Sequence, residues 1–355
     1  MISCQSRRQF LHGAGWVGVT LLAACNGGPA AAGPAAPASA SLPAAPSAAG
    51  GAGPTPTSAP LALTVPYTPI SSATAPFWIA VEEGLFAQQG LQIEPEFVGG
   101  TPPILQAMTS GEHPIGLVGG GDVILNRLGG GDAILIGVYN AVLTIDCHAR
   151  PDIHSIADLK GHTIAVTRLA TSSYFAGVMT LASAGLKPED VTWLQSGGVS
   201  ESAAVLMAGQ ADAAMIGYPS SLQVVQAGYP RLASPAQLGE YGLFPNNAIA
   251  VRDAWLREPA NHDVALRFLR AVNHGLQVAR TDDAALRRVL RKYTQIEDEG
   301  TLQATVDYTR EYFPTTLRVD ERGIRNALRL LDHPAAADAD PRQFFDNSLV
   351  DQIAG

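Results

Sequence analysis

From residue 61 onward, apolar runs of strand length alternate with longer stretches of helical period: LALTV, PFWIAVEEGLFAQQG, LQIEPEFV, PILQAMTSG, IGLVG, DVILNRLGG and AILIGVY. That alternation predicts an α/β fold with a mostly parallel sheet. The first helix opens at Pro76, a residue suited to a first helical turn, and ends near Gly84 or Gly90. Strand-to-helix junctions fall at residues 68–76, 98–103 and 118–122. In an open α/β sheet such junctions lie at the carboxyl ends of strands, where ligands bind.

After YNAVLTIDCHARPDIHS the pattern restarts, with ADLKGHTIAVTR, SSYFAGVMTLASAG, DVTWLQ, SESAAVLMAGQ, ADAAMIG and PSSLQVVQAG forming a second, smaller alternating unit. NNAIAVRDAWL reads as a strand returning to the first unit, and four helical stretches follow it. The expected organisation is one lobe over residues 61–155 plus 244–355 and a second over 156–243. A chain that leaves one α/β unit and comes back makes two crossovers, and two crossovers make a hinge.

Composition narrows the partners. Hydrophobic residues make up 46% of the 355-residue chain and charged ones 15%, which fits a compact protein rather than a disordered chain or a coiled coil. The net charge of −9 argues against nucleic acid. Three cysteines, Cys4, Cys25 and Cys147, are too few for a disulfide framework, and Cys147 in the run AVLTIDC reads as a small buried apolar residue.

The first 60 residues belong to neither lobe. MISCQSRRQFLHGAGWVGVTLLAAC has the paired Arg7 and Arg8, an apolar segment and a small-residue ending, the layout of a signal peptide over residues 1–24. SRRQFL resembles the bacterial twin-arginine export signal, and LAAC resembles the lipobox at which lipoproteins are cleaved and lipidated, here at Cys25. Residues 25–60 continue as an uncharged Ala/Pro/Gly stretch that cannot bury enough surface to offset its ordering entropy, so they read as a tether. The expected placement is export, then lipid attachment to a bacterial membrane, facing the periplasm or the cell exterior.

Two GGGD runs stand ten positions apart. The first, Gly119 to Asp122, reads as a loop after IGLV whose glycines let the backbone approach a ligand and whose Asp122 caps the helix VILNRL. The second, Gly129 to Asp132, reads as the stop of that helix, at the opposite end of the sheet. Neither fits a nucleotide motif, no P-loop or nucleophile elbow occurs, and His148 and His154 show no metal-ligand spacing.

Five phrases, in order, carry a family resemblance. FWIAVEEGLFAQQGLQIE, IADLKGHTIAV, ASAGLKPEDVTWL, AVLMAGQADAAMIGYP and QFFDNSLV resemble the corresponding segments of periplasmic substrate-binding proteins of the nitrate/sulfonate/taurine and thiamine-pyrimidine (NMT1/THI5-like) type. Tyr218 stands where many of those proteins place an acid. The resemblance implies a type II periplasmic-binding fold closing two lobes over a small-molecule ligand. It also implies a monomer without cofactor, metal or catalytic residue that serves an ABC permease and its ATPase. An enzyme on the same fold, of the menaquinone-pathway or pyrimidine-synthesis type, is the alternative, which the export signal disfavours. A surface adhesin or sensor domain is a third reading.

In that fold a ligand meets loop hydroxyls and backbone N–H groups at helix starts. Lobe one offers Ser71, Ser72, Thr74, Thr101, Gly119, Gly120 and Gly121; lobe two offers Thr167, Thr171, Ser172, Ser173, Gly197 and Gly198. Each hydroxyl has a helix-capping alternative. Phe77, Trp78, Tyr174 and Tyr218 stand near the junctions and could sandwich a flat group, core packing being the other reading of Phe77 and Trp78. Arg168 is the one cation at a predicted strand end, a partner for an anion or else a solvated surface residue. Asn246 and Asn247, on the returning segment, could serve as hinge or hydrogen-bond the ligand.

Overall fold

A computed structural model describes residues 60–353. The export signal, Cys25 and the tether lie outside those residues.

The chain runs β1 (Leu61–Tyr67), a 3-10 turn (Ser72–Thr74), α1 (Ala75–Glu82), α2 (Leu85–Gln88), β2 (Leu91–Phe97), α3 (Thr101–Ser110), β3 (Ile115–Gly119), α4 (Gly120–Leu128) and β4 (Ala133–Val142). It continues with β5 (Ile145–Ala149), β6 (Thr163–Val166), α5 (Ser172–Ser183), β7 (Thr192–Gln195), α6 (Val199–Met207), β8 (Ala213–Gly217), α7 (Ser220–Gln226) and β9 (Arg231–Ala233). It then returns through β10 (Leu243–Arg252) into α8 (Asp253–Leu256), α9 (Pro259–Thr281), α10 (Asp283–Thr294), α11 (Glu299–Tyr312), α12 (Glu321–Leu330) and α13 (Ser348–Ile353). Among these described residues no helix is long and apolar enough to cross a membrane.

Ten strands form two five-stranded sheets, ordered β2-β1-β3-β10-β4 and β7-β6-β8-β5-β9. In the first, β1 pairs in parallel with β2 and β3, while β10 runs antiparallel between β3 and β4. In the second, β6 lies parallel between β7 and β8, and β5 closes antiparallel on β8 and β9. This is the two-lobed α/β arrangement of the type II periplasmic-binding fold, its lobes joined by two crossovers. The chain leaves the first sheet at Leu143–Thr144, between β4 and β5, and returns by way of a 3-10 segment, Pro235–Gly242, that runs into β10.

The first crossover lies earlier than the expected residue 155. The run IDCHA is a strand of the second sheet, paired residue for residue with AAMIG of β8. The run alternates apolar with polar residues as a half-buried strand does, yet the polar face is buried as well, with Asp146 and His148 inside. Cys147 between them is a free thiol, 1% exposed, and burial pushes its pKa up to about 12.

One face of the first sheet is covered by α1, α9, α10 and α11, whose apolar stripes form a single cluster around Phe77, Trp78, Phe86 and Phe268. A second cluster continues from the other face of that sheet into the second lobe. Burial rather than local propensity holds these helices: the 23-residue α9 places Val264, Phe268, Leu269, Val272 and Leu276 on one inward stripe.

Candidate functional site

Two chambers open where the lobes face each other, and they are built alike. The first, a cavity of about 290 Å³, has the lobe-one turn Ile70 to Ala73 on one side, Tyr218 and Pro219 of lobe two on the other, and the crossover residue Thr144 between them. The second, about 410 Å³, sets Gly119, Gly121 and Asp122 of lobe one against Ala170, Thr171 and Ser172 of lobe two, with Asn246 of the returning strand between them. Each chamber thus takes one loop from each lobe and is lined from one of the two paths between them, the outgoing one at Thr144 and the returning one at Phe244 and Asn246. These loops sit at the carboxyl ends of β1, β8, β3 and β6, as the packing of open α/β sheets requires.

Ser71 and Thr171 occupy helix N-cap positions, yet neither side chain makes a capping bond. The capping alternative therefore does not account for them. Thr171 joins a compact hydroxyl group instead: its Oγ1 is 3.0 Å from Thr167 Oγ1 and 3.2 Å from Ser173 Oγ, and it donates to the Arg168 carbonyl at 2.7 Å. Ser173, 3% exposed, accepts from the Thr167 N–H at 2.9 Å, which anchors the start of α5 to the end of β6.

The first GGGD run is split between two surroundings. Gly119 and Gly121 line the second chamber, but Gly120 is buried against the hinge: a Cβ there would stand 2.2 Å from the Pro245 carbonyl oxygen. Asp122 is not the helix cap. Helix α4 begins at Gly120 with Gly119 as its N-cap, and Asp122 sits within the first turn. Its carboxyl contacts Thr101, whose hydroxyl also accepts from the Gly119 N–H at 2.9 Å, and burial raises its pKa against the effect of that hydrogen bond. The second GGGD run ends α4, with Gly130 at a φ of 88°.

Several expected residues are placed elsewhere. Phe77 and Trp78 are fully buried, and Trp78 stacks on Tyr293 with centroids 4.5 Å apart, so the core reading holds for both. Thr74 is buried and donates to the Pro69 carbonyl at 2.8 Å, and Thr101 is committed to Gly119. Tyr174 packs edge-on against Trp193, with centroids 4.9 Å apart, on the packed side of α5. Asn247 is 5% exposed and bonded to Asn140. Gly197 and Gly198 lead into α6 outside both chambers, and Arg168 is exposed, on the loop beside the second chamber but not in its lining.

The C-terminal region, which sequence reasoning left out of the site, supplies much of the remaining lining. Thr294, Ile296, Thr301, Thr305 and Tyr308 complete the first chamber, and Leu331 and Asp332 the second. Tyr218 donates from its hydroxyl to the Thr301 carbonyl at 2.8 Å and stacks on Tyr308 at 5.2 Å between centroids. The available signal was the polar face of TLQATVDYTREY, where Thr301, Thr305 and Tyr308 recur at helical spacing. Among the described residues, no formally charged side chain lines the first chamber, and the charged ones lining the second are the acids Asp122 and Asp332.

The same fold is found in solved structures of low sequence identity. The periplasmic aliphatic sulphonate binding protein SsuA from Escherichia coli is 20% identical with a TM-score of 0.64, over 80% of this chain and 97% of that one. The periplasmic nitrate-binding protein NrtA from Synechocystis PCC 6803 is 14% identical with a TM-score of 0.58, over 83% and 88%. The desulfurization enzyme DSZB is 17% identical with a TM-score of 0.57, over 82% and 98%. No curated protein matches the chain by sequence. The family model described as NMT1/THI5 like matches residues 71–285, and the chain belongs to that family.

Proposed function

We propose that this protein is the solute-binding component of an ABC importer, capturing a small solute by closure of its lobes and delivering it to the permease. The observation that carries the reading is the matched construction of the two chambers, each walled by one loop of each lobe and floored by a residue of a crossover. A solute held in either chamber touches both lobes and one crossover, so its binding favours the closed state.

Within the nitrate-, sulfonate-, taurine- and pyrimidine-like range, the lining favours a neutral or zwitterionic organic solute. Hydroxyls and the Tyr218 and Tyr308 rings surround the first chamber, suited to a flat or polar group. Asp122 and Asp332 at the second favour an amino group and oppose a bare anion such as nitrate. The export signal, lipidation at Cys25 and tether complete the proposal: a monomeric receptor held at a bacterial membrane by its N-terminal lipid and facing outward. An enzymatic role on this fold is the competing reading.

A thermal-shift screen followed by calorimetry on the purified chain tests it, with taurine, an alkanesulfonate, a pyrimidine and nitrate as probes. Saturable binding of a zwitterionic or neutral probe, with a smaller radius of gyration when bound, is expected. No binding across the set overturns the transport reading, and nitrate binding tightest overturns the solute class. Replacing Cys25 with Ala should release the protein from membranes.

A further inference from the structure

Behind the Tyr218 and Tyr308 pair, which also walls the first chamber, lies another cavity of about 440 Å³. Its floor is β5, where Asp146 and His148, two positions apart, share one face of the strand. Both are buried, at 2% and 1% exposure, and neither nitrogen of the His148 ring has a hydrogen-bond partner. The Tyr229 backbone lies close enough to influence the ring but outside hydrogen-bonding geometry, and burial holds the imidazole down to about 4. At neutral pH the ring is therefore uncharged, with one nitrogen able to donate and the other to accept.

Asp146 is half-satisfied. Its Oδ1 accepts from the Tyr312 hydroxyl at 2.7 Å, while Oδ2 is 3.7 Å from Arg231 Nη1, beyond hydrogen-bonding distance. Arg231 turns to Glu311 instead, at 3.2 Å, so two carboxylates share one guanidinium and the surroundings keep a negative balance. Above this polar floor the walls are apolar: Leu222, the Tyr308 ring, and Val225, which at 47% exposure forms part of the mouth.

We propose that this cavity is a second binding site, for a small organic ammonium ion. The nitrogen donates to Asp146 Oδ2, and the carbon chain lies along Leu222 and Val225 over the Tyr308 ring. An anion gains little there, because Arg231 is already answered by Glu311. A neutral alcohol leaves the negative balance of Asp146 and Glu311 over the single Arg231 as it was. The site is independent of the cleft reading, although Tyr218 and Tyr308 wall both.

Calorimetry of the full chain at neutral pH against n-butylammonium, n-butanol and butyrate provides the test. Butylammonium should bind saturably and raise the melting temperature, at least about tenfold more tightly than butanol, with no butyrate binding. Asp146→Asn should weaken butylammonium by about tenfold or more, and Val225→Trp, a substitution at the exposed mouth, should do the same with an unchanged melting temperature of the free protein. If Asp146→Asn fails to fold, Val225→Trp decides. A flat butylammonium isotherm, as expected if water alone fills the cavity, overturns the proposal; so does butyrate binding as tightly, or undiminished binding in the folded Val225→Trp variant.

Discussion

Asn140 Nδ2 donates to Asn247 Oδ1 at 3.1 Å, tying β4 to β10 where both strands approach the crossovers. The two side chains are 1% and 5% exposed, and the β4–β10 register shifts on either side of the Asn247–Asn140 pairing. The local ladder is irregular, and a side-chain amide pair bridges the strands in its place. Removing either partner strands the other in a buried position. Asn247→Ala and Asn140→Ala should each lose about 1–3 kcal/mol in urea unfolding, and the double variant less than the sum. Strict additivity would show that the pair is not coupled.

Gly120 is fixed by the backbone of the returning strand rather than by a flexible neighbour. Because a Cβ would meet the Pro245 carbonyl oxygen at 2.2 Å, Gly120→Ala should destabilise the protein by about 1–3 kcal/mol in thermal melts and disturb solute binding. Gly99, where a Cβ would meet nothing within 4 Å, is the control, and Gly99→Ala should leave the melt nearly unchanged. Equal effects from the two substitutions would remove the close approach as the cause.

Asp146 and His148 have opposite linkage to pH. Burial raises the Asp146 carboxyl from 3.8 to about 6, so the folded state holds that proton more tightly than the unfolded one, and this contribution to stability falls as pH rises from about 4 to about 6. Burial lowers His148 from 6.5 to about 4, so its contribution is lost as pH falls through the same interval. In the parent protein the two slopes oppose each other. Asp146→Asn removes one of them, and its stability by urea unfolding should fall more steeply between about pH 6 and pH 4, by an additional ~2 kcal/mol. Parallel profiles for parent and variant would contradict the assignment.

Arg168 was the foremost sequence candidate for pairing an anion, yet it is exposed and stands beside the second chamber without lining it. For a neutral or zwitterionic solute, Arg168→Ala should alter affinity by less than about threefold in calorimetry. A loss of about tenfold or more would restore the residue to the site and favour an anionic solute.

The alternating lobes, the helical C-terminal run and the loops of the cleft were legible because each rests on a local signal: apolar period, glycine stops, hydroxyls at strand ends. Strand β5 was not, since its burial is decided by pairing with β8 while its own pattern places Asp146 and His148 inside. Thr301 and Tyr308 were missed for a related reason. A helix turns one polar face toward a cavity and another toward solvent, and sequence spacing cannot tell which is which. Trp78 follows the cleft turn of residues 70–73 by five positions in sequence, but helix α1 buries it against Tyr293.

Because Thr144 and Asn246 each floor one chamber, the cleft cannot be divided along the chain. Lobe two is an unbroken insertion, β5 to β9, and a fragment of it keeps Tyr218 and Thr171 while losing both floors and both opposing walls. The remainder, with its ends rejoined, keeps the floors and has nothing to close over them. On the proposed function, recognition is therefore a property of the excursion itself: until the polypeptide has gone out and come back, neither half has anything to hold.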